Sequence, residues 1–325
     1  MNGIRSILVT GATGSFGTAY ITHLLQHTSV ERVCGLSRCE LKQSQLAERF
    51  NHDPRLRLFL GDVRDRTRLE QAFHGIDAVV HAAALKRVDA AAYDPQEAVK
   101  TNVIGTDNVI QAAIGAGVRR VVVLSSDKCV RATNHYGATK FLAEQLAVAS
   151  NVYGFPRGTF VSAVRYGNVL GSRGSVLYLW REAVAQNRPI PLTHPDMSRF
   201  WMSIEQAVEL VNAALARMQG GEVFIPKLPA LTLREMASLL AGASYPVTLT
   251  GLRPGGEKLY EELLSPEEVT RTHDAGNVYI IAPSIAPWRK ELPDYGPLVA
   301  SDFEYRSDTA PPVAPETMRQ MLAAA

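Results

Sequence analysis

The sequence lacks long apolar runs and has few cysteines. No stretch of the 325 residues approaches the roughly 18 apolar residues that a membrane-spanning helix requires. Its three cysteines are odd in number and lack metal-type pairing, which argues against a disulfide framework and against a zinc site. The first residues lead straight into an apolar strand without the cleavage site of a signal peptide. We therefore expect a soluble cytoplasmic protein with reduced thiols, no membrane span and no metal.

A strong charge of one sign is also missing. The formal net charge is +2, and the lysines and arginines are scattered without a basic block. This pattern gives no reason to expect a nucleic-acid partner or binding to a membrane surface. The hydrophobic fraction of 46% and the charged fraction of 20% are ordinary for a globular protein. The length permits one large domain with an appendage, or two domains.

Short β-branched runs alternate with longer helical patterns over the first half of the chain. The runs are SILVT, RVCGL, LRLFLGD, AVVHAA, RVVVLSS and TFVSAVRYGN, and the longest helical pattern covers residues 95–116. This alternation predicts an α/β fold, a Rossmann-type doubly wound parallel sheet with helices on both faces. After about Leu170 glycines and prolines become frequent, so we expect residues 1–170 to form the Rossmann domain. Residues 171–325 would form a smaller substrate-binding lobe, from which the chain returns to the first domain.

A glycine-rich loop follows the first strand. VTGATGSFG places Gly11, Gly14 and Gly17 in a G-x-x-G-x-x-G spacing between that strand and a helix. Glycine lets the backbone approach a pyrophosphate, whose charge then lies at the helix N-terminus. The loop therefore predicts a bound dinucleotide. Further residues of this loop and of later strand ends are expected to contact it, namely Thr13, Ser15, Phe16, Asp62, Val63, Ala82, Ala83 and Ala84.

The end of the second strand indicates which dinucleotide binds. An NAD site places a carboxylate there for the adenosine 2′-hydroxyl, but this sequence has Ser37 and Arg38, with Lys42 one turn later. A hydroxyl and two cations suit a 2′-phosphate, whereas a solvated Arg and Lys at a helix start are the alternative. We predict NADP as the cofactor.

A tyrosine and a lysine follow the fifth β-branched run. Tyr136 and Lys140 are four residues apart on a predicted helix and are therefore neighbours on one face. An ammonium group there would lower the pKa of the phenol, normally about 10. Ser126 ends the preceding strand at the carboxyl edge of the sheet, where open α/β folds bind ligands. With the glycine loop, these residues resemble the extended short-chain dehydrogenase/reductase superfamily, whose Ser, Tyr and Lys triad matches Ser126, Tyr136 and Lys140.

Asp127 and Lys128 stand beside that triad, although oxidation alone does not need them. A second acid/base pair suggests elimination, in which one group removes a proton and another protonates a departing hydroxyl; a surface ion pair is the alternative. A set of motifs supports elimination: SSDK, YGATK, HAAALKRV, YDP, KTNVIGT, VRYGNVLGSRGSV, MSRFW, GEVFIPK, GLRPGGEKLYEELLS and YRSDT. Across nearly the whole chain they resemble the soluble UDP-N-acetylglucosamine 4,6-dehydratases of polysaccharide biosynthesis, particularly the branch that inverts C5.

The resemblance implies a mechanism on UDP-N-acetylglucosamine. Tyr136 takes the proton of the C4 hydroxyl while hydride leaves C4 for the cofactor. Lys128, as a neutral amine, removes the acidified C5 proton, and protonated Asp127 gives a proton to the departing C6 hydroxyl. Hydride then returns to C6, so no external reductant is consumed. Water exclusion is expected to favour the neutral forms of both groups, or the pair shares one proton.

Family motifs also imply contacts elsewhere in the chain. Further cofactor contacts are Lys86 and Asn102, beside Tyr136 and Lys140 themselves. Substrate contacts are Lys86, Tyr136, Asn168, Arg173, Arg199, Lys227, Arg253 and Glu257. The family usually has Asn-Pro where this chain has Arg131–Ala132, Glu where it has Ala92, and one glycine fewer at Gly255–Gly256. These departures leave the loop conformation and the fit of the sugar open.

Other functions remain open from the sequence. A UDP-sugar 4-epimerase or reductase would need the glycine loop and the Tyr/Lys pair but no Asp–Lys pair, and a C5-retaining 4,6-dehydratase is a further alternative. A non-catalytic NADP-sensing protein is the alternative of another class. The partners that we expect are a UDP-sugar and further copies of the chain in a homo-oligomer.

Overall fold

A nine-stranded sheet forms the centre of the computed structural model, which describes residues 3–253 and 255–325. Pro254 of the LRPGGEK motif lies outside the described residues. The strands, in chain order, are β1 Ser6–Thr10, β2 Arg32–Ser37, β3 Leu56–Leu60, β4 Ala78–His81, β5 Arg120–Leu124, β6 Phe160–Val164, β7 Asn168–Val169, β8 Ile190–Leu192, β9 Ser198–Met202, β10 Val223–Pro226, β11 Ala230–Thr232, β12 Val247–Leu249, β13 Thr272–Asp274 and β14 Val278–Ile281.

Helices connect these strands. In chain order they are α1 Ser15–His27, α2 Glu40–Arg49, α3 Arg66–Ala72, α4 Val88–Tyr93, α5 Pro95–Ala98, α6 Gly105–Gly115, α7 His135–Ala149, α8 Asn151–Gly154, α9 Val176–Ala185, α10 Ile204–Arg217, α11 Leu233–Ala241, α12 Pro266–Val269 and α13 Pro315–Ala324. A π-helical segment, Val99–Ile104, joins α5 to α6, so the helical pattern predicted over 95–116 is one helix with a π segment inside it. None of the helices in the described part of the chain is long and apolar enough to cross a membrane.

The large sheet has the order β13-β14-β10-β6-β5-β4-β1-β2-β3. Its strands from β3 to β10 run parallel, while β14 is antiparallel to β10, and β13 to β14. The predicted doubly wound α/β fold is therefore confirmed. The strand order reverses between β1 and β4, and in open parallel sheets ligands bind at the carboxyl ends of the strands around such a switch point.

Both faces of the sheet are buried, which explains why its central strands are apolar almost throughout. On one face α1 and α10 pack together, with Leu24 and Leu210 in the same hydrophobic cluster. On the other face α3 and α6 pack, with Leu69 and Val109 in a second cluster. Each fully buried side chain of this size stabilises the fold by about 1.5 to 3 kcal/mol.

Residues after about 170 contribute to two places. Strands β10, β13 and β14 extend the large sheet, whereas β7, β9 and β11 form a three-stranded sheet and β8 and β12 a two-stranded one. A third hydrophobic cluster, which includes Trp180, Trp201 and Met318, lies under the small sheets. The boundary at residue 170 remains a prediction.

Candidate active site

The glycine loop has the geometry that a pyrophosphate site requires. Gly11 has φ +68°, and a Cβ on it would lie 2.9 Å from the backbone nitrogen of Ala83. A Cβ on Gly17 would lie 2.3 Å from the carbonyl oxygen of Gly11. No side chain caps the N-terminus of α1 at Gly14, so the N–H groups of its first turn can bind an anion. These residues fit a dinucleotide.

The remaining loop and strand-end residues support this cradle in different ways. The N–H groups of Ala82 and Ala83 both donate to the Thr10 hydroxyl at 3.2 Å, which fixes the end of β4. Phe16 is buried and stacks on Tyr20 with ring centroids 5.5 Å apart. Two further predicted contacts have different surroundings, with Val63 buried in the core and Ala84 half-buried.

Arg173 lies at the glycine loop, although the sequence placed it with the substrate. Its N–H donates to the hydroxyl of Ser15 at 2.9 Å, and its guanidinium donates to the carbonyl oxygen of Thr13. The loop after β7 thus returns to the first turn of α1, a contact between positions that are distant in sequence. Burial and the cation of Arg173 lower the pKa of Lys86, so a second cation lies near Arg173.

The end of β2 presents a cation to solvent. Arg38 is 59% exposed, and its guanidinium is 3.9 Å from the Asp62 carboxylate; Lys42 is also exposed. Ser37 is instead buried, and its hydroxyl accepts a hydrogen bond from Gln43 at 3.0 Å. Arg38 and Lys42 are therefore better placed than Ser37 to reach a 2′-phosphate.

Asp62 is held mainly by another arginine. Arg64 donates to its carboxylate at 2.7 Å. Burial would raise the pKa of Asp62, but Arg64 and, less strongly, Arg38 outweigh burial and lower it. Asp62 therefore remains a charged acceptor at the end of β3.

Asn102 supports the site from behind. It is 1% exposed, and its amide accepts from the N–H of Leu85 at 2.8 Å and donates to Thr139 on α7 at 3.0 Å. The amide therefore joins the loop after β4 to α7, and the expected contact of Asn102 with the cofactor remains a prediction. The π segment carries this residue inwards, in agreement with the frequent occurrence of π turns at functional sites.

Tyr136 and Lys140 lie on α7 and are both buried. Burial raises the pKa of Tyr136 to about 12, against the opposing effects of Lys128 and a hydrogen bond from Ser126. Lys140 donates to the carbonyl oxygen of Leu124 at 2.5 Å, and burial lowers its pKa to about 8. The expected lowering of the tyrosine pKa by Lys140 is not found in the protein alone, because burial dominates and the ammonium is directed at a backbone carbonyl.

The Asp127–Lys128 pair lies in a 3₁₀ turn, Asp127–Cys129, directly after β5. The Lys128 ammonium donates to Oδ1 of Asp127 at 2.9 Å and to Oδ1 of Asn168 at 3.2 Å. Ser126 donates to the same Asp127 oxygen at 2.7 Å. Asp127 has no exposed surface, and its Oδ2 has no partner among the described residues. The pair is therefore part of the interior of the site and not a surface ion pair.

Lys128 does not have the neutral form that the sequence predicted. Burial alone would lower its pKa, but the carboxylates of Asp127 and Glu261 outweigh burial, so the pKa is raised above its ordinary value. Glu261, whose Oε1 is 3.5 Å from Nζ of Lys128, was not identified from the sequence. The correction follows from a second buried carboxylate brought to the lysine by the distant part of the chain.

Lys128 of this pair lines a cleft that is open to solvent. Residues from both halves of the chain line it, namely Val88, Lys128, Asn134, Arg199, Arg253, Gly256, Glu257, Lys258 and Glu261. Arg199 is 4% exposed and donates to the carbonyl oxygens of Ser198 at 2.7 Å and Lys258 at 3.0 Å. Its guanidinium therefore fixes the cleft wall, and the predicted contact of Arg199 with the substrate remains a prediction.

Arg253 and Lys227 are both paired with carboxylates. Arg253 is 66% exposed and forms a 2.5 Å ion pair with Glu257 at the mouth of the cleft. Lys227 binds both carboxylate oxygens of Asp274 at 2.8 Å and lies over the Tyr279 ring. The recorded contacts of Lys227 do not connect it to the cleft, so its role in substrate binding remains a prediction.

Three departures from the family pattern contact other parts of the chain. A Cβ on Gly255 would lie 3.1 Å from Cβ of Ala92, so the added glycine and the small residue on α4 fit against each other. Arg131 has φ +44°, a conformation that asparagine adopts more readily. Its guanidinium is 3.2 Å from Glu262. The segment 255–262 therefore contacts one altered position on α4 and another at residue 131.

Three cleft residues with polar side chains were not identified from the sequence. Asn134 caps α7 by accepting from the N–H of Gly137 and donates to the carbonyl oxygen of Gly256, both at 2.8 Å. An Asn just before a helical pattern is a known start signal and could have identified it. Lys258, which donates to the carbonyl oxygen of Val130 at 2.5 Å, and Glu261 lie in an irregular segment without a periodic signal.

A model of the family described as "Polysaccharide biosynthesis protein" matches residues 7–283. The inverting UDP-N-acetylglucosamine 4,6-dehydratase of Campylobacter jejuni (strain 81-176) is 41% identical over 96% of this chain and 95% of its own length. A UDP-glucose 4-epimerase of Rickettsia typhi is 38% identical over 85% of this chain and 82% of its own.

Solved structures show the same fold. The X-ray structure of Pen from Bacillus thuringiensis has a TM-score of 0.89 and 35% identity, covering 99% of this chain and 98% of that one. DesIV, a dTDP-glucose 4,6-dehydratase from Streptomyces venezuelae solved with NAD and TYD bound, has a TM-score of 0.70 and 26% identity. The match covers 78% of this chain and 86% of the DesIV chain.

Proposed function

Because this chain belongs to the polysaccharide biosynthesis protein family, we propose that it is a C5-inverting UDP-N-acetylglucosamine 4,6-dehydratase, a hydro-lyase. The observation that carries the proposal is the buried Asp127–Lys128 pair, joined at 2.9 Å, beside Tyr136 on α7. Oxidation at C4 needs no such pair, whereas elimination of water across C5 and C6 needs an acid and a base. The similarity to the Campylobacter jejuni enzyme supports the same assignment.

The residues of the cleft divide the reaction between them. A bound nicotinamide dinucleotide supplies the hydride acceptor at C4 and the hydride donor at C6. Tyr136 removes the C4 hydroxyl proton, and the Lys128 ammonium, which opposes the effect of burial on the pKa of Tyr136, stabilises the phenolate that this requires. The Lys128 ammonium passes a proton to Oδ1 of Asp127, which generates the acid for the C6 hydroxyl and the amine that removes the C5 proton. Proton transfer within one hydrogen bond provides both forms without a change in net charge.

NADP is proposed as the cofactor, since Arg38 and Lys42 are exposed at the end of β2. The Rossmann architecture supports a nicotinamide dinucleotide in general, and DesIV was solved with NAD. We also propose a cytoplasmic homo-oligomer. Its assembly is supported by exposed apolar side chains on the contacting π segment and α7, which include Val99, Ile104, Phe141 and Leu142.

The similarity to a UDP-glucose 4-epimerase gives a second candidate function. An epimerase eliminates no water, so the Asp127–Lys128 pair would not act as an acid and a base for elimination. Incubation of the protein with UDP-N-acetylglucosamine, followed by mass spectrometry, separates the two. We expect loss of one water without added reductant, and no product from Tyr136→Phe, which keeps the ring but lacks the base. An unchanged mass with an altered C4 configuration would support the epimerase. Ring coupling constants of a dehydrated product distinguish L-arabino from the D-xylo configuration of a C5-retaining enzyme.

A further inference from the structure

Three oxygen acceptors surround the ammonium group of Lys128. Besides Asp127 at 2.9 Å and Asn168 at 3.2 Å, Oε1 of Glu261 lies at 3.5 Å. Ser307 fixes the backbone of Glu261 through two hydrogen bonds of 2.9 Å. The N–H of Glu261 donates to Oγ of Ser307, and the carbonyl oxygen of Glu261 accepts from the N–H of Ser307. The glutamate is therefore held in place by the distant end of the chain.

Glu261 is an unusual group to bury. It is 3% exposed, and its Oε2 has no hydrogen-bond partner among the described residues. A buried carboxylate oxygen without a partner costs free energy, and such groups in native proteins call for an explanation. Glu261 lines the cleft directly beside the reacting pair, which points to a role there.

The charged groups around the pair define what Glu261 does. Lys128 faces Asp127, Glu261, Arg199 and Tyr136. Glu261 in turn faces Arg199 at 3.8 Å and Lys258 at 3.8 Å as well as Lys128. Two carboxylates thus compete for the Lys128 ammonium, but only Asp127 is within hydrogen-bond distance. When the Lys128 ammonium becomes a neutral amine, the electrostatic attraction between Lys128 and Glu261 is lost. Glu261 therefore opposes deprotonation of Lys128.

We propose that Glu261 is a positioning residue, which holds the Lys128 ammonium beside Asp127 and sets how readily that ammonium transfers its proton to the Asp127 carboxylate. In this transfer the Nζ–H bond breaks and an Oδ1–H bond forms, with no change in oxidation state. The consequence for catalysis rests on the proposed function, since the amine that forms removes the C5 proton of the sugar. The effect on the charge of Lys128 does not depend on any substrate.

Competitive acetylation of the folded protein with trace acetic anhydride tests the charge effect. The extent of labelling at Lys128, measured by mass spectrometry across a pH series, gives the pKa of that amine. Glu261→Gln removes the charge and keeps the shape, and we expect the pKa of Lys128 to fall by about one unit or more. Glu262→Gln is the matched control, since Glu262 is the next residue and is similarly buried but pairs with Arg131.

Two results would overturn the proposal. One is an unchanged titration of Lys128 in Glu261→Gln, and the other is an equal shift in Glu262→Gln. If Glu261→Gln does not fold, Glu261→Asp decides, because it keeps the charge but withdraws it from Nζ of Lys128, and the proposal then requires a smaller fall of the Lys128 pKa. An unchanged titration of Lys128 in Glu261→Asp would also contradict it.

The catalytic consequence is measured by incorporation of deuterium at C5 from deuterated water as a function of pH. The acidic limb of this profile should move to lower pH in Glu261→Gln and stay in place in Glu262→Gln. A superimposable profile for Glu261→Gln would refute the positioning role. If the wild-type protein does not dehydrate UDP-N-acetylglucosamine, the proposed function fails on its own, and the acetylation experiment still decides the role of Glu261.

Discussion

Nζ of Lys140 donates a hydrogen bond to the carbonyl oxygen of Leu124 over 2.5 Å, which ties the middle of α7 to the last residue of β5. The lysine is 6% exposed. Burial lowers its pKa to about 8, although Cys129 and Glu144 act in the opposite direction. The protein therefore keeps a buried cation one helical turn from Tyr136 at a cost in stability.

Lys140→Met should stabilise the protein alone while it abolishes activity. The unfolded chain binds more protons than the folded one between pH 8 and about 10.4, so the wild-type free energy of unfolding rises with pH across that window. We expect Lys140→Met to raise the free energy of unfolding at neutral pH by about 1 to 3 kcal/mol and to remove that rise. Urea denaturation at neutral and alkaline pH measures both effects.

Lys290→Met, at an exposed position, serves as the control for Lys140→Met and should change stability by no more than about 0.5 kcal/mol. A clear loss of stability at neutral pH in Lys140→Met would show that burial does not disfavour the Lys140 charge.

Arg38→Ala should weaken NADP binding by about 1 to 3 kcal/mol, the usual contribution of a charged hydrogen bond, with little effect on NAD. The reason is that Arg38 lies at the end of β2, where the 2′-phosphate of the cofactor would meet its largely exposed guanidinium. Calorimetric titration with each dinucleotide measures the difference. Arg66→Ala makes the same change in net charge at an exposed pair with Glu70 and should leave both affinities unchanged. An equal loss for NAD and NADP in Arg38→Ala would rule out a contact with the 2′-phosphate.

Asp127→Asn should stop the reaction after the first oxidation. The amide cannot protonate the departing C6 hydroxyl, so we expect no dehydrated product and an accumulation of reduced cofactor with a bound 4-keto sugar. Cofactor absorbance and mass spectrometry of the bound sugar report these species. Lys128→Ala should show the same block and should also lack deuterium exchange at C5. Dehydration at wild-type rates by both variants would assign the elimination to other residues.

Gly256→Ala should weaken binding of the UDP-sugar. Gly256 has φ +90°, and a Cβ on it would lie 2.5 Å from the carbonyl oxygen of Thr133, so the cleft wall must move. We expect a higher KM for the sugar with unchanged NADP affinity, and a stability loss of about 1 kcal/mol or more from backbone strain.

Gly242→Ala is the control for Gly256→Ala, because Gly242 has φ +97° and open space around its Cβ position. It should lose comparable stability at an unchanged KM. If KM rises equally in both variants, strain and not displacement of the cleft wall is responsible.

The sequence by itself determined those parts of the protein that lie within one strand–loop–helix unit, because they depend on the spacing of nearby residues. Gly11 and Gly14 precede α1 and Gly17 lies in its first turn, as their spacing predicts, and Tyr136 and Lys140 lie on α7 after the Asp127–Lys128 turn. The alternation of apolar runs gave the doubly wound sheet, because a parallel sheet buried on both faces needs apolar strands. These features depend on contacts within a few residues or on a repeated pattern.

Only the tertiary structure decided which distant groups meet at the site and what charge they favour. Glu261 and Arg173 reach Lys128 and the glycine loop from irregular segments far along the chain, where no period or spacing indicates which side chain points inwards. Arg199 and Asn102 have side chains of types that often bind ligands, but here these side chains form hydrogen bonds with backbone groups of Lys258 and Leu85. Burial and the neighbouring carboxylates fix the protonation of Lys128 and Lys140, and both are properties of three-dimensional surroundings that residue identity alone does not contain.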